Sequence, residues 1–448
     1  MNASRTDTNE PRTASVLGAG YGAHVSGTPL SRRSFLAGVG AIGVAARLGH
    51  RSIDRWSGRR PVFDVRDFGA TGNGVTVDTR AVQWALDEAG ERGATVRLGP
   101  GTYRCGTLRL RSGIRLVLEA RATLLATDRS ADFLPLERLL YPTGADFETS
   151  DFQHALLTGE RLDHVAIVGE GTIDGGRTQR GGPKPLALRR CRDVAVRGIT
   201  IRNAPNYCIS LGGCDDVVIE DVTIRDAFAD GIDPDCCCRV RIIGCDVESD
   251  DDAIVLKASR ILGVVRATED VIVERCRMMS PSNGFKIGTE TQGPVRRVRV
   301  RDCRINGRAR PGAHLHATGG VPFTTSAEGG GVAVESFDGG AVEHVLIERT
   351  CVTDALVPIF VRLGGPRPGT LSNITVRALT ATGAQDACTI SGLPGHPVER
   401  LTIDDVHLAT SARTAPPPGP LPELPVAYPK AGMFGPLPAS GMWIRHAR

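Results

Sequence analysis

A short pattern recurs along the chain and constrains its fold more than any other feature. Each copy reads roughly as two polar residues, Val-x-Val or Val-x-Ile, two more polar residues and an apolar-x-apolar pair. This alternation of apolar and polar side chains predicts short strands with one buried face. Most copies are spaced by 23–31 residues, and one pair by 47, which suits stacked coils with loops of variable length. The copies begin at Leu162, Cys191, Cys214, Cys237, Thr268, Val295, Val342, Leu371 and Val398.

The repeat predicts an all-β, single-domain parallel β-helix over residues 62–448. A leucine-rich repeat would need Leu at fixed offsets and an Asn, which the copies lack, and a β-sandwich would not repeat one motif at a near-constant period. The aromatic content of 4% agrees, because stacked coils are filled by Val, Ile, Leu and small residues. We expect a helix over about Thr79–Ala89, preceded by Asp78 and ended by Gly90, to cap the open end of the stack. The three prolines at 416–418 predict a loop outside it.

The first 46 residues have the character of an export signal. Arg32-Arg33 precedes a short Gly/Ala-rich apolar run over residues 37–46, which is typical of twin-arginine signal peptides. Residues 47–61 then form a linker, and the mature protein would be secreted to the cell envelope or the medium. The alternative is a disordered tail with an incidental Arg pair.

Composition and charge exclude several classes of partner. The chain has no stretch of about 18 apolar residues, so we expect no membrane span. A net charge of +4 over 448 residues gives little reason to expect a nucleic-acid partner. We expect a monomer.

The cysteines occupy equivalent positions in successive repeats. This spacing predicts buried, reduced thiols stacked in the coil interior, with a few disulfides between neighbouring coils as the alternative. Residues 236–238 are three consecutive cysteines, but no Cys-x-x-Cys or paired-His spacing accompanies them, so we predict no metal site there. The repeated positions are Cys191, Cys214, Cys237, Cys245, Cys276 and Cys303.

Polar residues recur at one corner of successive coils. Asp230 lies 16 residues after its repeat start, and Asp251 and Asp252 lie 14 and 15 after theirs. Asn283 lies 15 after its own, and residues 206–207, which are Asn206 and Tyr207, lie 15 and 16 after theirs. Because adjacent coils stack about 4.8 Å apart, these side chains should line one face over about 10 Å. That length suits a few sugar rings.

Clustered carboxylates have a chemical consequence. Like charges this close repel, so at least one of Asp230, Asp251 and Asp252 should have a raised pKa. A protonated acid beside an ionised base is what glycoside hydrolysis requires. Lys257 and Lys286, two of only four lysines, would compensate the charge and bind a substrate carboxylate. A turn-forming role for the aspartates and calcium binding remain alternatives, and we predict no cofactor.

At these residues the chain resembles glycoside hydrolase family 28, the polygalacturonase-like enzymes. The resemblance covers about residues 62–446. Residues 67–74 look like the family's opening segment, 228–233 match its Asn-Thr-Asp-Gly-Ile-Asp block with Phe and Ala for Asn and Thr, and 250–254 match its Gly-Asp-Asp block with Asp for Gly. It implies a right-handed parallel β-helix and an inverting mechanism, with Asp251 as the general acid and Asp230 and Asp252 holding the attacking water.

Two family blocks are altered in this chain. The family's His-Gly block aligns with residues 283–290, so its His is Asn283, and its Arg-Ile-Lys block aligns with Ala333-Val334-Glu335. Arg362 on a neighbouring coil is a candidate replacement for the missing cation. The expected substrate is therefore an acidic plant-type polysaccharide of the pectin kind, either polygalacturonan or a rhamnogalacturonan, decorated pectin or other acidic glycan.

Two other functions remain open at this stage. One is a β-helical polysaccharide lyase that uses calcium on the Asp cluster, and the other is a glycan-binding β-helix without catalysis. Inverting hydrolysis has a geometric requirement of roughly 6.5–9.5 Å between acid and base. A gap near 5 Å between Asp251 and both other aspartates would contradict it.

Overall fold

The computed structural model describes residues 60–309, 329–410, 420–435, 437 and 441–448. The predicted signal peptide, nearly all of the linker and the prolines at 416–418 lie outside the described residues. No helix among the described residues is long and apolar enough to cross a membrane.

The described residues form two α-helices, two short 3-10 helices and a long series of strands. The α-helices are α1 (Thr79–Arg92) and α2 (Phe147–Ser150), and the 3-10 helices are Val65–Phe68 and Ser130–Asp132. The strands, in chain order, are β1 (Val62–Asp64), β2 (Asn73–Val77), β3 (Thr95–Leu98), β4 (Gly101–Cys105), β5 (Leu108–Arg109), β6 (Arg115–Leu118), β7 (Ala122–Ala126), β8 (Ala155–Glu160), β9 (Asp163–Gly169), β10 (Thr172–Asp174), β11 (Lys184–Arg189), β12 (Arg192–Arg197), β13 (Thr200–Ala204), β14 (Ile209–Gly212), β15 (Asp215–Glu220) and β16 (Thr223–Ala227). They continue as β17 (Ile232–Asp235), β18 (Cys238–Ile243), β19 (Asp246–Ser249), β20 (Ile254–Ala258), β21 (Thr268–Glu274), β22 (Arg277–Met279), β23 (Phe285–Thr291), β24 (Val295–Arg301), β25 (Arg304–Asn306), β26 (Gly330–Ser336), β27 (Ala341–Thr353), β28 (Val357–Leu363), β29 (Thr370–Ala384), β30 (Cys388–Ser391), β31 (Glu399–Thr410) and β32 (Met442–Arg445).

The strands assemble into two parallel sheets, one of 21 strands and one of 11. A typical coil contributes two consecutive strands to the larger sheet, such as β15 and β16, and a third, such as β17, to the smaller sheet. Each strand pairs with the equivalent strand of the next coil, so β14, β17, β20 and β23 are successive neighbours in the smaller sheet. This is the parallel β-helix that the repeat predicted.

Identical apolar positions stack from coil to coil and form the core. In the larger sheet Val165, Val194, Val217, Val240 and Val271 are paired one above the other, and each is almost fully buried. Stacked β-branched side chains pack densely on a parallel sheet, which is why the alternating pattern specifies the register. The predicted strands of the repeat are all present.

The predicted capping helix is present but longer than expected. Helix α1 runs to Arg92 and ends at Gly93, which adopts the left-handed conformation, so Gly90 lies inside it. The carboxylate of Asp78 does not cap the helix. It accepts hydrogen bonds from the backbone N–H groups of Thr71 and Gly72 at 2.8 and 3.0 Å, and thereby ties the preceding turn to the helix start.

The thiols are arranged as the repeat predicted. All the cysteines are free, and all except Cys351 are buried. Cys214 donates a weak hydrogen bond to the Leu188 carbonyl of the neighbouring coil at 3.5 Å, and Cys237 does the same to Leu211. The cysteines therefore fill the interior corner as small apolar residues.

Candidate active site

The predicted polar corner lies where each coil enters the smaller sheet. The backbone N–H of Cys208 donates to the carbonyl of Asp230, Gly231 donates to Asp252, and Ala253 donates to Asn283, at 3.0, 2.9 and 2.9 Å. These bonds stack the four coils in the predicted register. Asp230, Asp252 and Asn283 consequently lie one above the other.

A glycine after two of these residues lets the chain turn tightly into the sheet. A Cβ atom on Gly231 would lie 2.4 Å from Cγ1 of Val247 and 2.5 Å from the Ala253 carbonyl oxygen. A Cβ on Gly284 would lie 2.3 Å from Cγ2 of Ile305. The close packing of the corner therefore requires glycine after Asp230 and after Asn283.

Three carboxylates meet at this corner. One oxygen from each of Asp230, Asp251 and Asp252 lies within 4.8 Å of the other two. The backbone N–H of Asp252 donates to Oδ1 of Asp251 at 3.0 Å and to Oδ1 of Asp230 at 3.2 Å. Asp230 and Asp252 are buried, whereas 30% of the Asp251 side chain is exposed. Asp251 is therefore the carboxylate that a ligand reaches first.

Both predicted lysines lie at the corner, but each is committed to carboxylates. The Lys257 ammonium lies 2.8 Å from Oδ2 of Asp233 and 3.2 Å from Oδ2 of Asp230. The Lys286 ammonium lies 3.0 Å from Oδ2 of Asp252. The lysines thus neutralise the buried acids, as charge compensation predicts, and in this structure they are not free to bind a substrate carboxylate.

A third cation, Arg180, completes the corner and was not found from the sequence. Its Nη1 atom donates to Oδ2 of Asp251 at 2.8 Å, and its Nε atom donates to both oxygens of Glu148 in α2, at 3.0 and 3.1 Å. Arg180 lies in the connection between β10 and β11, outside the repeat, so no register position singled it out. The one sequence feature that could have indicated Arg180 is its place in a loop between the glycine pairs 175–176 and 181–182.

The aspartates differ in their electrostatics. Burial raises the pKa of Asp230 well above its ordinary value, and the neighbouring charges of Asp251 and Asp252 raise it further. Burial opposes ionisation of Asp251 too, but Arg180 outweighs it and holds the pKa of Asp251 below its ordinary value. The expected raised pKa therefore belongs to Asp230, whereas Asp251, for which the family resemblance implies an acid role, is ionised while Arg180 is in place.

The three carboxylates approach one another closely at single oxygens. One oxygen of each carboxylate lies within 4.8 Å of the other two, whereas the window of roughly 6.5–9.5 Å is measured between whole carboxyl groups with a water between them. The cause is the shared backbone N–H of Asp252, which draws Asp230 and Asp251 toward one donor. Carboxylate spacing therefore gives no support for inversion.

The remaining predicted residues of the corner serve as supports. Asn283 donates from Nδ2 to Oδ1 of Asp252 at 2.7 Å and accepts from the Gly330 N–H at 3.0 Å. Asn206 donates to the Gly182 carbonyl at 3.3 Å and so holds the loop that carries Arg180. The buried Tyr207 hydroxyl lies 3.2 Å from the Lys257 ammonium. Asn206 and Tyr207 position other site residues, which differs from the substrate contact predicted for them.

Arg362 does not replace the missing cation, and that prediction is wrong. Its guanidinium is buried and donates to the Ser391 hydroxyl and the Leu424 carbonyl, each at 2.8 Å. It thus secures residues 420–435 against the smaller sheet. Glu335, which aligns with the family's Lys, is also buried, and its Oε2 atom has no hydrogen-bond partner.

Two groups of side chains among the described residues have the spacing to hold a metal ion. One is the Asp230, Asp251 and Asp252 cluster itself, and the other is Cys238 with Glu269 and Asp270. The first already faces Arg180, Lys257 and Lys286, and the second is paired with arginines such as Arg297. These cations supply the positive charge that a calcium ion would otherwise provide.

Fold and site together define a carbohydrate-active β-helix with an acidic corner on its smaller sheet. Residues 141–311 match the family model described as glycosyl hydrolases family 28, and residues 62–134 match the one described as rhamnogalacturonase A/epimerase, pectate lyase-like. The predicted resemblance to glycoside hydrolase family 28 is confirmed, and with it the class of this protein, a glycoside hydrolase.

Relatives and solved structures agree with this class. A probable polygalacturonase of Vitis vinifera is 25% identical in an alignment of 378 positions that covers 78% of this chain and 75% of that protein. The exopolygalacturonase structure from Thermotoga maritima superposes with a TM-score of 0.64 at 21% identity, covering 78% of this chain and 87% of that one. The polygalacturonase structure from Erwinia carotovora ssp. carotovora gives 0.60 at 20% identity, covering 75% and 92%. The last two confirm the right-handed parallel β-helix.

Proposed function

We propose that this protein hydrolyses glycosidic bonds in galacturonic-acid-containing, pectin-type polysaccharide. The observation that carries the proposal is the cluster of Asp230, Asp251 and Asp252, in which one carboxylate is solvent-accessible and two are buried beside lysines. The polygalacturonase activity named for the relatives supports galacturonan as the substrate class.

In the proposed reaction Asp251 donates its proton to the glycosidic oxygen as the bond to the anomeric carbon breaks. A water held by Asp230 and Asp252 attacks that carbon and passes its proton to one of these carboxylates. In the free site burial raises the pKa of Asp230 and Arg180 lowers that of Asp251, so a proton in the cluster is favoured on Asp230 over Asp251. Catalysis requires that proton on Asp251, whose nearest cluster oxygens lie within 4.8 Å, so the substrate must redistribute it.

We further propose inversion, as the family resemblance implies, despite the short carboxylate spacing. In this arrangement Asp230 and Asp252 hold the water on the side that faces away from Asp251. The water therefore does not have to fit between the acid and either base. Proton NMR of the first-formed anomer measures the outcome. An inverted anomer is expected, whereas retention would mean that one aspartate attacks the sugar directly.

The decisive experiment is product analysis with pectic oligosaccharides and an Asp251→Asn variant. Loss of the proton donor should lower kcat by about 10²- to 10⁴-fold with unchanged thermal unfolding. Asp216→Asn is the matched control, because Asp216 forms an exposed ion pair with Arg239 on the larger sheet. Turnover by Asp251→Asn at the unaltered rate would refute the assignment.

The lyase alternative makes different products. Elimination would yield unsaturated, ultraviolet-absorbing ends and would be lost with a calcium chelator, whereas hydrolysis yields saturated reducing ends and should continue. The three cations around the cluster favour hydrolysis. A glycan-binding protein without catalysis would retain the oligosaccharides unchanged.

We propose, from the sequence alone, that residues 1–46 direct export through the twin-arginine route. Replacing Arg32 and Arg33 together by Lys should leave the protein in the cytosol of a host with that pathway, while the unaltered chain reaches the envelope or medium. Export of the double variant at the normal level would overturn this proposal.

A further inference from the structure

We propose that Arg180 changes partners during the reaction, pairing with Asp251 in the free protein and with a substrate carboxylate in the complex. The exchange frees Oδ2 of Asp251 to carry the proton that it donates. This inference rests on the proposed function, and it makes Arg180 a residue that both recognises the uronate and controls the acid.

The hydrogen bonds of Asp251 favour the exchange. Its Oδ1 accepts the Asp252 N–H at 3.0 Å, and its Oδ2 accepts Arg180 Nη1 at 2.8 Å. An ionised carboxylate only accepts hydrogen bonds, whereas a protonated one must place a hydrogen on one oxygen. Oδ2 of Asp251 already accepts from the positively charged Arg180, so a proton on Oδ2 becomes favourable once Arg180 has left.

The other cations of the corner are not placed to recognise a uronate. Lys257 is 4% exposed and lies between two buried aspartates, and Lys286 is 10% exposed and paired with Asp252. Moving either lysine would strand a buried carboxylate, which is costly. The Arg180 side chain is 22% exposed and its partner Asp251 is solvent-accessible, so an incoming carboxylate can replace that partner directly.

The surroundings of Arg180 permit a small movement. Its guanidinium has a second anchor in Glu148, bound through Nε and Nη2, so the planar group moves toward a ligand together with Glu148, and Nη1 is the donor that changes partner. The residue is followed by Gly181, which has φ of +105° and no atom within 4 Å of a hypothetical Cβ. Asn206 holds the next glycine, Gly182, in place, which confines the movement to the loop's tip.

The charges that face Asp251 decide when it takes a proton. They are Arg180, Lys257 and Lys286, which favour ionisation, and Asp230 and Asp252, which oppose it. Removing Arg180 from this set leaves a buried acidic cluster, in which a proton on Asp251 is favoured. A free uronate triggers this change because it attracts the guanidinium, whereas its methyl ester carries no charge and does not.

The test compares Arg180→Gln with Arg177→Gln on two substrates, oligogalacturonate and its methyl ester. Arg177 is a half-buried arginine of the same loop that donates to the Thr127 carbonyl at 2.9 Å. Arg180→Gln should lower kcat/KM for the acid by about 10- to 100-fold, the usual value of a charge-assisted hydrogen bond, and leave the ester rate unchanged or higher. Arg177→Gln should alter neither, and Arg180→Lys should restore part of the preference for the acid.

The pH profiles give a second readout that a merely structural role would not move. Since Asp251 must be protonated to act, activity falls as the pH rises through its pKa. Arg180 lowers that pKa in the free protein, so Arg180→Gln should shift the alkaline limb of kcat/KM to higher pH. The alkaline limb of the kcat profile on oligogalacturonate should move much less. In the complex with this substrate Arg180 has already left Asp251, so its removal changes the pKa of Asp251 little.

The outcomes separate this inference from the proposed function. Hydrolysis of both substrates by the unaltered protein, with equal losses for acid and ester in Arg180→Gln, would overturn the role of Arg180 alone. Hydrolysis of neither substrate would overturn the proposed function and this inference with it. A substrate-selective loss with the shifted kcat/KM limb supports both.

Discussion

The ammonium of Lys257 lies 2.8 Å from Oδ2 of Asp233, and both side chains are almost completely buried. Asp230 shares the same ammonium at 3.2 Å. Burial alone would neutralise Lys257, but Asp233, Tyr207 and Asp230 outweigh it and raise its pKa well above the ordinary value. One buried cation of the next coil therefore compensates the charge of two aspartates that belong to the same coil.

We predict that Lys257→Met lowers the free energy of unfolding by about 3–5 kcal/mol, because it strands Asp230 and Asp233 without a cation. Loss of the cation raises the pKa values of both aspartates further, so the destabilisation should be larger at pH 8 than at pH 4.5, where protonating them in the folded protein costs less free energy. Urea unfolding at the two pH values measures this.

A control variant and a double-mutant cycle test this prediction by the same measurement. Lys430→Met, at an exposed lysine, should change stability by less than about 0.5 kcal/mol. Lys257→Met combined with Asp233→Asn should be less destabilising than the sum of the single changes. Strict additivity would contradict the pairing.

Sequence reasoning predicted the fold and the alignment of the corner, because both follow from the repeat. Stacked strands require equivalent residues at equivalent offsets, so counting from Cys214 and Cys237 placed Asp230 beside Asp252. The partners of these residues could not be counted in this way. Arg180 and Glu148 lie in connections outside the repeat, and their position depends on how those connections fold over the smaller sheet.

For Arg362 the repeat predicted the position correctly, but not the contacts of the side chain. Its register position beside Glu335 was correct, yet residues 420–435 cover that part of the sheet and absorb the guanidinium. A register assigns a residue to a coil and a face, but whether that face meets substrate or a covering segment depends on long loops, for which the repeat holds no information.

Asn283 should prove essential as a hydrogen-bond donor and not only as a spacer. Asn283→Asp keeps the acceptor for the Gly330 N–H but replaces the donor to Asp252 by a carboxylate, so we expect a loss of activity of at least about 100-fold. Ser282→Ala is the matched control, because Ser282 donates to the same oxygen at 2.9 Å and its removal adds no charge. It should cost about tenfold or less, measured by kcat on the same oligosaccharide. Similar losses for both variants would contradict the role of charge.

Glu335 should make the folded protein sensitive to alkaline pH. Burial raises its pKa to about 8, and its Oε2 atom has no partner. A carboxyl whose folded pKa lies above its unfolded value of about 4.3 contributes stability that is lost as the pH rises toward the folded pKa. Glu335→Gln should therefore match the unaltered protein near pH 4 and exceed it by a few kcal/mol near pH 8. Thermal unfolding across this range measures the difference, and a constant difference at all pH values would refute the prediction.

The stacked thiols should be unreactive until the coils open. Burial raises the pKa of Cys388 to about 12, for example, so the reactive thiolate is both scarce and inaccessible at neutral pH. Of the 12 cysteines only Cys351 is exposed, and we expect Ellman's reagent to titrate about one thiol in the native protein and all 12 in guanidinium, without prior reduction. Cys351→Ser should abolish the native reaction. Fewer thiols in guanidinium than after reduction would reveal disulfides between coils, the alternative that the spacing of the cysteines left open.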